Sequence, residues 1–268
     1  MLSNPNQNYN NIRGLTILIS DIRNSTTREA EAKRVEKELD KIRKKFNSNK
    51  ALSGYDKKKY VWKLLYIYIL GYKIDFGYNY AADLITSIKF SEKITGYISM
   101  SILFKENNPE ISIMINSIKN DLLNQNSLCQ SMAITLTANL NNNELIANLS
   151  KEIFTFLSRF SEKSLYVAKK ALVCLGRIIK VNKEMHDATV YSRYILKVLD
   201  LKNFETLLGA ASLVATLIQT FGTSGYEEVA MKFFNEILYK MKECPEEYIY
   251  YHIKAPWLQI KILKIMEL

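Results

Sequence analysis

Phe204-Glu205-Thr206-Leu207-Leu208-Gly209-Ala210-Ala211-Ser212-Leu213-Val214-Ala215-Thr216-Leu217-Ile218-Gln219-Thr220-Phe221 is the stretch that decides the fold of this chain. Leu207, Leu208, Ala211, Val214, Leu217 and Ile218 recur at helical spacing, and their stripe is too wide for a helix that packs on one side only. Leu172, Leu175 and Ile179 mark a second helix of the same kind. Helices contacted on two sides imply a stack.

Working outward, apolar periodicity predicts helices near 13–23, 26–46, 57–72, 79–88, 91–106, 109–124, 127–140, 143–160, 163–181, 187–200, 203–221, 225–242 and 255–268. Between them lie short breaks rich in Asn, Ser and Asp; nine Gly and four Pro among 268 residues form no linker. No run of short alternating strands interrupts the pattern. An all-α chain follows, built as an α-solenoid of stacked antiparallel helix pairs of about 40 residues, the period of HEAT or armadillo repeats. Residues 1–11, polar and Asn-rich, are expected to be a disordered tail with no secretory signal, leaving 12–268 as the solenoid. The last predicted helix, from Ala255 onward, ends within an apolar pattern and lacks a polar capping unit, as a truncated segment or a partner-covered end would. Around Leu64 to Gly71 the apolar run is too short to span a bilayer.

Charge is concentrated. Fifteen Lys/Arg against seven Asp/Glu fall between Arg13 and Lys63, a formal +8 of the net +10. So local an excess predicts a binding surface for polyanions. Asp56 reads as the N-cap of the helix that follows, which places Lys57, Lys58 and Lys59 in its first turn. Cations there oppose the helix dipole, at a cost of roughly 0.3–1 kcal/mol each, but the free backbone N–H groups and lysines together suit phosphate. Lys59 and Lys63, four apart, extend that patch. In the preceding helix Val35, Leu39, Ile42 and Phe46 make a narrow apolar stripe, with Lys33, Lys37, Lys41 and Lys44 on another face. The Glu29–Lys33 and Asp40–Lys44 spacings are ordinary helix-surface pairs.

No enzyme motif is present. His186 and His252 stand apart from any second ligand, Cys129, Cys174 and Cys244 form no Cys-x-x-Cys, and no Gly-rich phosphate loop or nucleophile elbow occurs. No metal site or cofactor is expected. From the residues alone two classes stay open: a solenoid that docks on anionic membrane, and one that binds nucleic acid or acidic protein. Tyr60 and Trp62 beside the lysines read as core, against nucleic-acid stacking.

Arg13-Gly14-Leu15, Ile19-Ser20-Asp21-Ile22-Arg23-Asn24, Lys50 to Val61, Ile74-Asp75-Phe76-Gly77, Ile118-Lys119-Asn120-Asp121-Leu122 and Ala255-Pro256-Trp257-Leu258 resemble the N-terminal trunk of the adaptin family, in its α type from the plasma-membrane clathrin adaptor complex. The Gly-Tyr-x-Lys-Lys-Lys-Tyr run favours the α type over the γ type of internal membranes. Trp62, Lys73 and Tyr80 depart from the family pattern.

The resemblance implies a non-enzymatic, right-handed superhelical scaffold on the cytosolic face of the plasma membrane, in clathrin-coated pits, with no nucleic-acid partner. It implies binding of phosphatidylinositol 4,5-bisphosphate through Arg13, Lys45, Tyr55, Lys57, Lys58, Lys59 and Lys63. It further implies β, μ and σ adaptor subunits as partners, and contact between Arg23 and the acidic residue of dileucine-type cargo tails; Arg23 reads equally as a cap of helix carbonyls. Clathrin would be reached only through regions absent here. A γ-type adaptin, or a karyopherin-like HEAT cargo receptor, is the alternative.

Overall fold

A computed structural model describes residues 12–48, 50–158, 165–183, 187–199 and 203–268. The tail at 1–11 and His186 lie outside the described residues. The chain divides into two compact units, Met1–Met114 and Ile115–Leu268.

The first unit holds α1 (Arg13–Arg23), α2 (Arg28–Phe46), α3 (Gly54–Ile69), α4 (Tyr78–Ile85) and α5 (Phe90–Leu103), and α6 (Glu110–Leu123) begins at its end. Helices two apart stack in a row, α1 on α3 and α3 on α5, while α2 packs against α1 and α3, and α4 against α3 and α5. Thr27 opens α2 by accepting from the Ala30 N–H, and Val35, Ile42 and Phe46 are buried as the stripe predicts. With Leu18, Ile22, Tyr60, Leu64, Ile67 and Ile74 they form one core. Each such side chain contributes roughly 1.5–3 kcal/mol by leaving water.

Phe46 is the centre of that core. Its ring stacks on Tyr80 at 3.9 Å and meets Tyr60 edge-on at 5.9 Å, and the Tyr80 hydroxyl donates to the Phe46 carbonyl at 2.7 Å. The departure at Tyr80 is therefore a packed aromatic with its polar end satisfied. Gly96 of α5 lets two helices touch closely: a Cβ there would lie 2.8 Å from the Ile85 amide nitrogen and 2.9 Å from the Ala81 carbonyl oxygen of α4.

The second unit contains α7 (Ser127–Leu140), α8 (Asn143–Ser158), α9 (Leu165–Val181), α10 (Ala188–Leu199), α11 (Phe204–Phe221), α12 (Glu227–Lys242) and α13 (Pro256–Glu267). Its odd-numbered helices form one layer, α7 on α9, α9 on α11 and α11 on α13. The even-numbered ones form the other, with α10 against α12 and Phe154 of α8 against Tyr191 and Tyr194 of α10, at 5.1 and 6.3 Å between ring centroids. Two layers in which each helix meets the next but one make a solenoid of the HEAT/armadillo kind.

α11 has the length and mean hydropathy, 1.4, of a membrane span, a stretch more apolar than the one around Leu64, yet 61% of it is buried in the protein. Contact with α9 and α13 on either side makes it a core helix. The all-α reading needs one local correction. Ile249–Tyr250 and Ile253–Lys254 form a two-stranded antiparallel hairpin whose turn, Tyr251-His252, has positive φ at both residues. Cys244 lies in the connection between α12 and the hairpin, whereas Cys129 and Cys174 are buried, and burial pushes the Cys174 thiol up to about 12.

Candidate anion-binding surface

The helix that carries the lysines starts three residues earlier than its sequence pattern suggests. Ser53, not Asp56, is the N-cap of α3: its hydroxyl accepts from the Asp56 N–H at 3.1 Å and donates to the Asp56 carboxylate at 2.8 Å. Asp56 thus sits at the third helical position, where an acid helps the dipole, and Lys57 to Lys59 begin the second turn. Gly54 packs so closely on the Glu92 carboxylate that a Cβ there would lie 2.2 Å from its oxygen. Two protein carboxylates therefore stand beside this helix start, and the Asp56 N–H is already taken by the Ser53 hydroxyl.

Consecutive residues on a helix point about 100° apart, and the three lysines diverge accordingly. Lys57 reaches Asp83 of α4 at 3.1 Å. Lys58, 7% exposed, turns into a groove beside α1 and α5. Lys59 folds back to Asp56 at 2.6 Å, with its ammonium 4.6 Å from the Tyr60 ring centre and 5.6 Å from that of Tyr55. Burial works to lower the Lys59 pKa, but the Asp56 bond together with the charge interactions with Tyr60, Asp56 and Tyr55 prevails, so the ammonium is held above its ordinary value. The same Lys59 bond, with the Ser53 hydroxyl, holds the Asp56 carboxyl down, and Lys45 adds to this.

Other members converge on the Lys59 side. The first turn of α1 lies over α3, so that a Cβ on Gly14 would be 3.5 Å from the Lys63 ammonium and 3.7 Å from Lys59 Cδ. Arg13, next to it, is exposed, as are Lys45 at the end of α2 and Tyr55, 49% exposed, at the start of α3. Arg13 and Lys45 make no ion pair among the described residues. Their charge is therefore free for an anion.

Lys63 is in a different state. Its side chain is 6% exposed and its ammonium is bonded to Glu38, 3% exposed, on α2. Arg34 bonds the other Glu38 oxygen at 3.0 Å and Asp21 of α1 at 2.9 Å. An Asp21–Arg34–Glu38–Lys63 chain so ties α1, α2 and α3 together beneath the exposed cations. Glu38 escaped the sequence reading, although its spacing of three from Val35 and four from Ile42 puts it on the apolar stripe. Lys33, Lys37, Lys41 and Lys44 are exposed on the solvent face of α2, while Arg43 pairs with Asp75 at 2.9 Å. Arg23, the last residue of α1, is exposed; it makes no ion pair among the described residues, and the helix end is closed by the Asn24 backbone N–H. No group of three metal-ligating side chains occurs among the described residues.

A search of solved structures finds a designed armadillo repeat protein in complex with a (KR)4 peptide, 15% identical over 94% of this chain and 98% of that one, with a TM-score of 0.42. Among curated proteins, AP-2 complex subunit alpha-2 of Dictyostelium discoideum is 38% identical over 268 residues, and AP-2 complex subunit alpha-1 of Arabidopsis thaliana 36% over 258, covering 99% and 96% of this chain. AP-1 complex subunit gamma-like 2 of mouse is 25% identical over 94% of the chain. The chain spans 27% of the Dictyostelium relative's length and 25% of the Arabidopsis one's. The profile described as "Adaptin N terminal region" matches residues 31–267, from within α2 to the end of α13, so the two-layered helical stack and its basic first unit are those of an adaptin: this chain belongs to the adaptin N-terminal region family.

Proposed function

We propose that this chain is the α-type trunk of a clathrin adaptor, a non-enzymatic scaffold that docks on the cytosolic face of the plasma membrane through phosphatidylinositol 4,5-bisphosphate. The observation that carries this reading is the set of exposed groups beside α3: Arg13 adjoins Gly14, which approaches Lys59 and Lys63, Lys45 acts on Asp56, and the Tyr55 ring lies 5.6 Å from the Lys59 ammonium. Higher identity to the AP-2 alpha relatives than to the AP-1 gamma relative supports the α type. Arg13 and Lys45 offer charge directly, the Tyr55 hydroxyl can donate, and Lys59 can exchange Asp56 for a phosphate oxygen. Lys57 borders the site on the α4 side. Lys63 contributes mainly from beneath, through its bond to Glu38.

At ~1 kcal/mol per cation near an anionic leaflet, four or five cations give at most ~5 kcal/mol before screening, which corresponds to reversible docking. Residence then depends on further contacts at high effective concentration. On this reading the solenoid holds β, μ and σ subunits, and Arg23, exposed at the end of α1, meets the acidic residue of a dileucine-type cargo tail. The test is sedimentation of the full chain with liposomes carrying the 4,5-bisphosphate, the 4-phosphate or phosphatidylserine, matched for total charge in near-physiological salt. Preferential binding to the bisphosphate is expected. Equal binding to all three would reduce the surface to a nonspecific electrostatic patch and remove the plasma-membrane assignment.

A further inference from the structure

The link between α4 and α5, Thr86-Ser87-Ile88-Lys89, carries an isoleucine that the fold covers nowhere. Ile88 is 101% exposed; the next large apolar side chain among the described residues is Tyr251, at 80%. Single apolar side chains on a surface are ordinary, so exposure alone assigns nothing. What sets Ile88 apart is that the chain on both sides of it is held. The Ser87 hydroxyl accepts from the Lys89 N–H at 3.2 Å and donates to the buried Glu92 carboxylate at 2.7 Å, and the Thr86 hydroxyl donates to the Asp83 carbonyl at 2.7 Å. A fixed loop thus presents the side chain outward, with little ordering left to lose on contact.

The loop adjoins the start of α3. Glu92, which holds Ser87, is the carboxylate against which Gly54 packs, and Asp83 of α4 takes Lys57 at 3.1 Å. Tyr55 and Lys57 belong to the proposed lipid surface, so Ile88 stands at its α4–α5 border. Lys89, with a side chain 78% exposed, and Phe90, the half-exposed first residue of α5, follow it. The carboxylates beside the loop are matched by cations, Asp83 by Lys57 and Glu92 by Lys89 at 3.7 Å, which limits repulsion of lipid phosphates. Aliphatic and aromatic side chains around a lysine suit the membrane interface, where the apolar groups enter the acyl boundary and the ammonium stays among the head groups. A tip this small offers far less area than a stable protein interface needs, whereas a bilayer requires no matching pocket. We infer that Ile88, flanked by Lys89 and Phe90, is an apolar wedge that enters an anionic bilayer when the cationic surface docks. The wedge rests on the lipid-surface reading and adds to it a hydrophobic contact that salt does not screen.

The full chain and Ile88→Ser are compared in sedimentation with bisphosphate liposomes and in calorimetry with soluble inositol 1,4,5-trisphosphate, which has the phosphates and no acyl chains. Ile88→Ser should bind the liposomes about tenfold more weakly and the soluble head group as the parent does. Cys129 and Cys174 are buried, so Ile88→Cys in a Cys244→Ser background accepts a nitrobenzoxadiazole label at the tip alone. Its emission should rise and shift to the blue on bisphosphate liposomes, be quenched by nitroxide placed on the acyl chains, and not respond to the soluble head group. A parent that does not favour the bisphosphate overturns the lipid-surface reading and the wedge with it. A parent that does, matched by Ile88→Ser on liposomes, overturns the wedge alone. Equal losses of liposome and soluble head-group binding, or a bound label that acyl-chain nitroxide does not quench, would likewise defeat it, by placing Ile88 outside the bilayer.

Discussion

Glu38→Ala is expected to lower the stability of the full chain by about 3–5 kcal/mol, because it strips the counter-charge from a Lys63 side chain that is 6% exposed. Arg34 retains Asp21, so the orphaned charge is Lys63. Thermal melting should show a fall of roughly 10 °C for a chain of this size. Removing both charges with Glu38→Ala/Lys63→Met should recover a substantial part of the loss, since the cost lies in the unpaired ion rather than in the missing attraction. If the single variant melts within a degree or two of the parent, Lys63 is not held in the core by Glu38.

The pair also predicts a pH dependence. Burial tends to raise the Glu38 pKa, but the bonds from Lys63 and Arg34 prevail and hold it below its ordinary value of 4.5. A depressed folded value means that the contribution is complete above about pH 5 and is lost as the pH falls through the folded pKa. Urea unfolding midpoints should therefore decline in acid more steeply for the parent chain than for the double variant.

Gly77→Ala is the second change with a large expected effect. Gly77 caps α4 with φ of 86°, and a Cβ there would lie 2.7 Å from Leu64 Cδ1 and 2.8 Å from Phe46 Cε2. The left-handed backbone costs an L-residue about 1–2 kcal/mol and the overlap with two core side chains about 1–3 more. Gly71, which follows α3 with φ of 98°, separates these terms, because nothing lies within 4 Å of a Cβ built there. Gly71→Ala should cost only the backbone share. Chemical denaturation of the two variants should differ by the packing share of about 1–3 kcal/mol. Equal losses would mean that the Phe46 core yields freely and that Gly77 is required for its conformation alone.

The helices were legible because their apolar periods are long and continuous. α11 was read from its wide stripe within one residue of its observed start, and α7 and α9 ended where their patterns stopped. The start of α3 was misread because Ser53 and Asp56 are both good caps. The Ser-x-x-Asp spacing, with the acid as the third helical residue, was the signal that decides between them. Glu38 was hidden by company: within a strongly basic helix it looked like another solvated charge. The hairpin at 249–254 was too short for a period of two to show, and Tyr251-His252 lacks the glycine or asparagine that usually marks such a turn.

For the basic surface, residue type was informative and direction was not. Lys57, Lys58 and Lys59 look like one cluster in sequence, yet one reaches α4, one enters a groove and one returns to the start of its own helix. Which cations act together depends on how α1 and α2 cross α3. That is a tertiary fact, visible in the approach of Gly14 to Lys63.

The central claim is that one face, rather than net charge, holds the membrane. Its most direct test compares two triple variants of equal charge in the bisphosphate liposome assay: Arg13→Gln/Lys45→Gln/Lys59→Gln on the proposed face, and Lys33→Gln/Lys37→Gln/Lys44→Gln on the solvent face of α2. At ~1 kcal/mol per cation, the first should bind roughly 100-fold more weakly, and the second should stay within about threefold of the parent. Equal losses in the two variants would contradict the account.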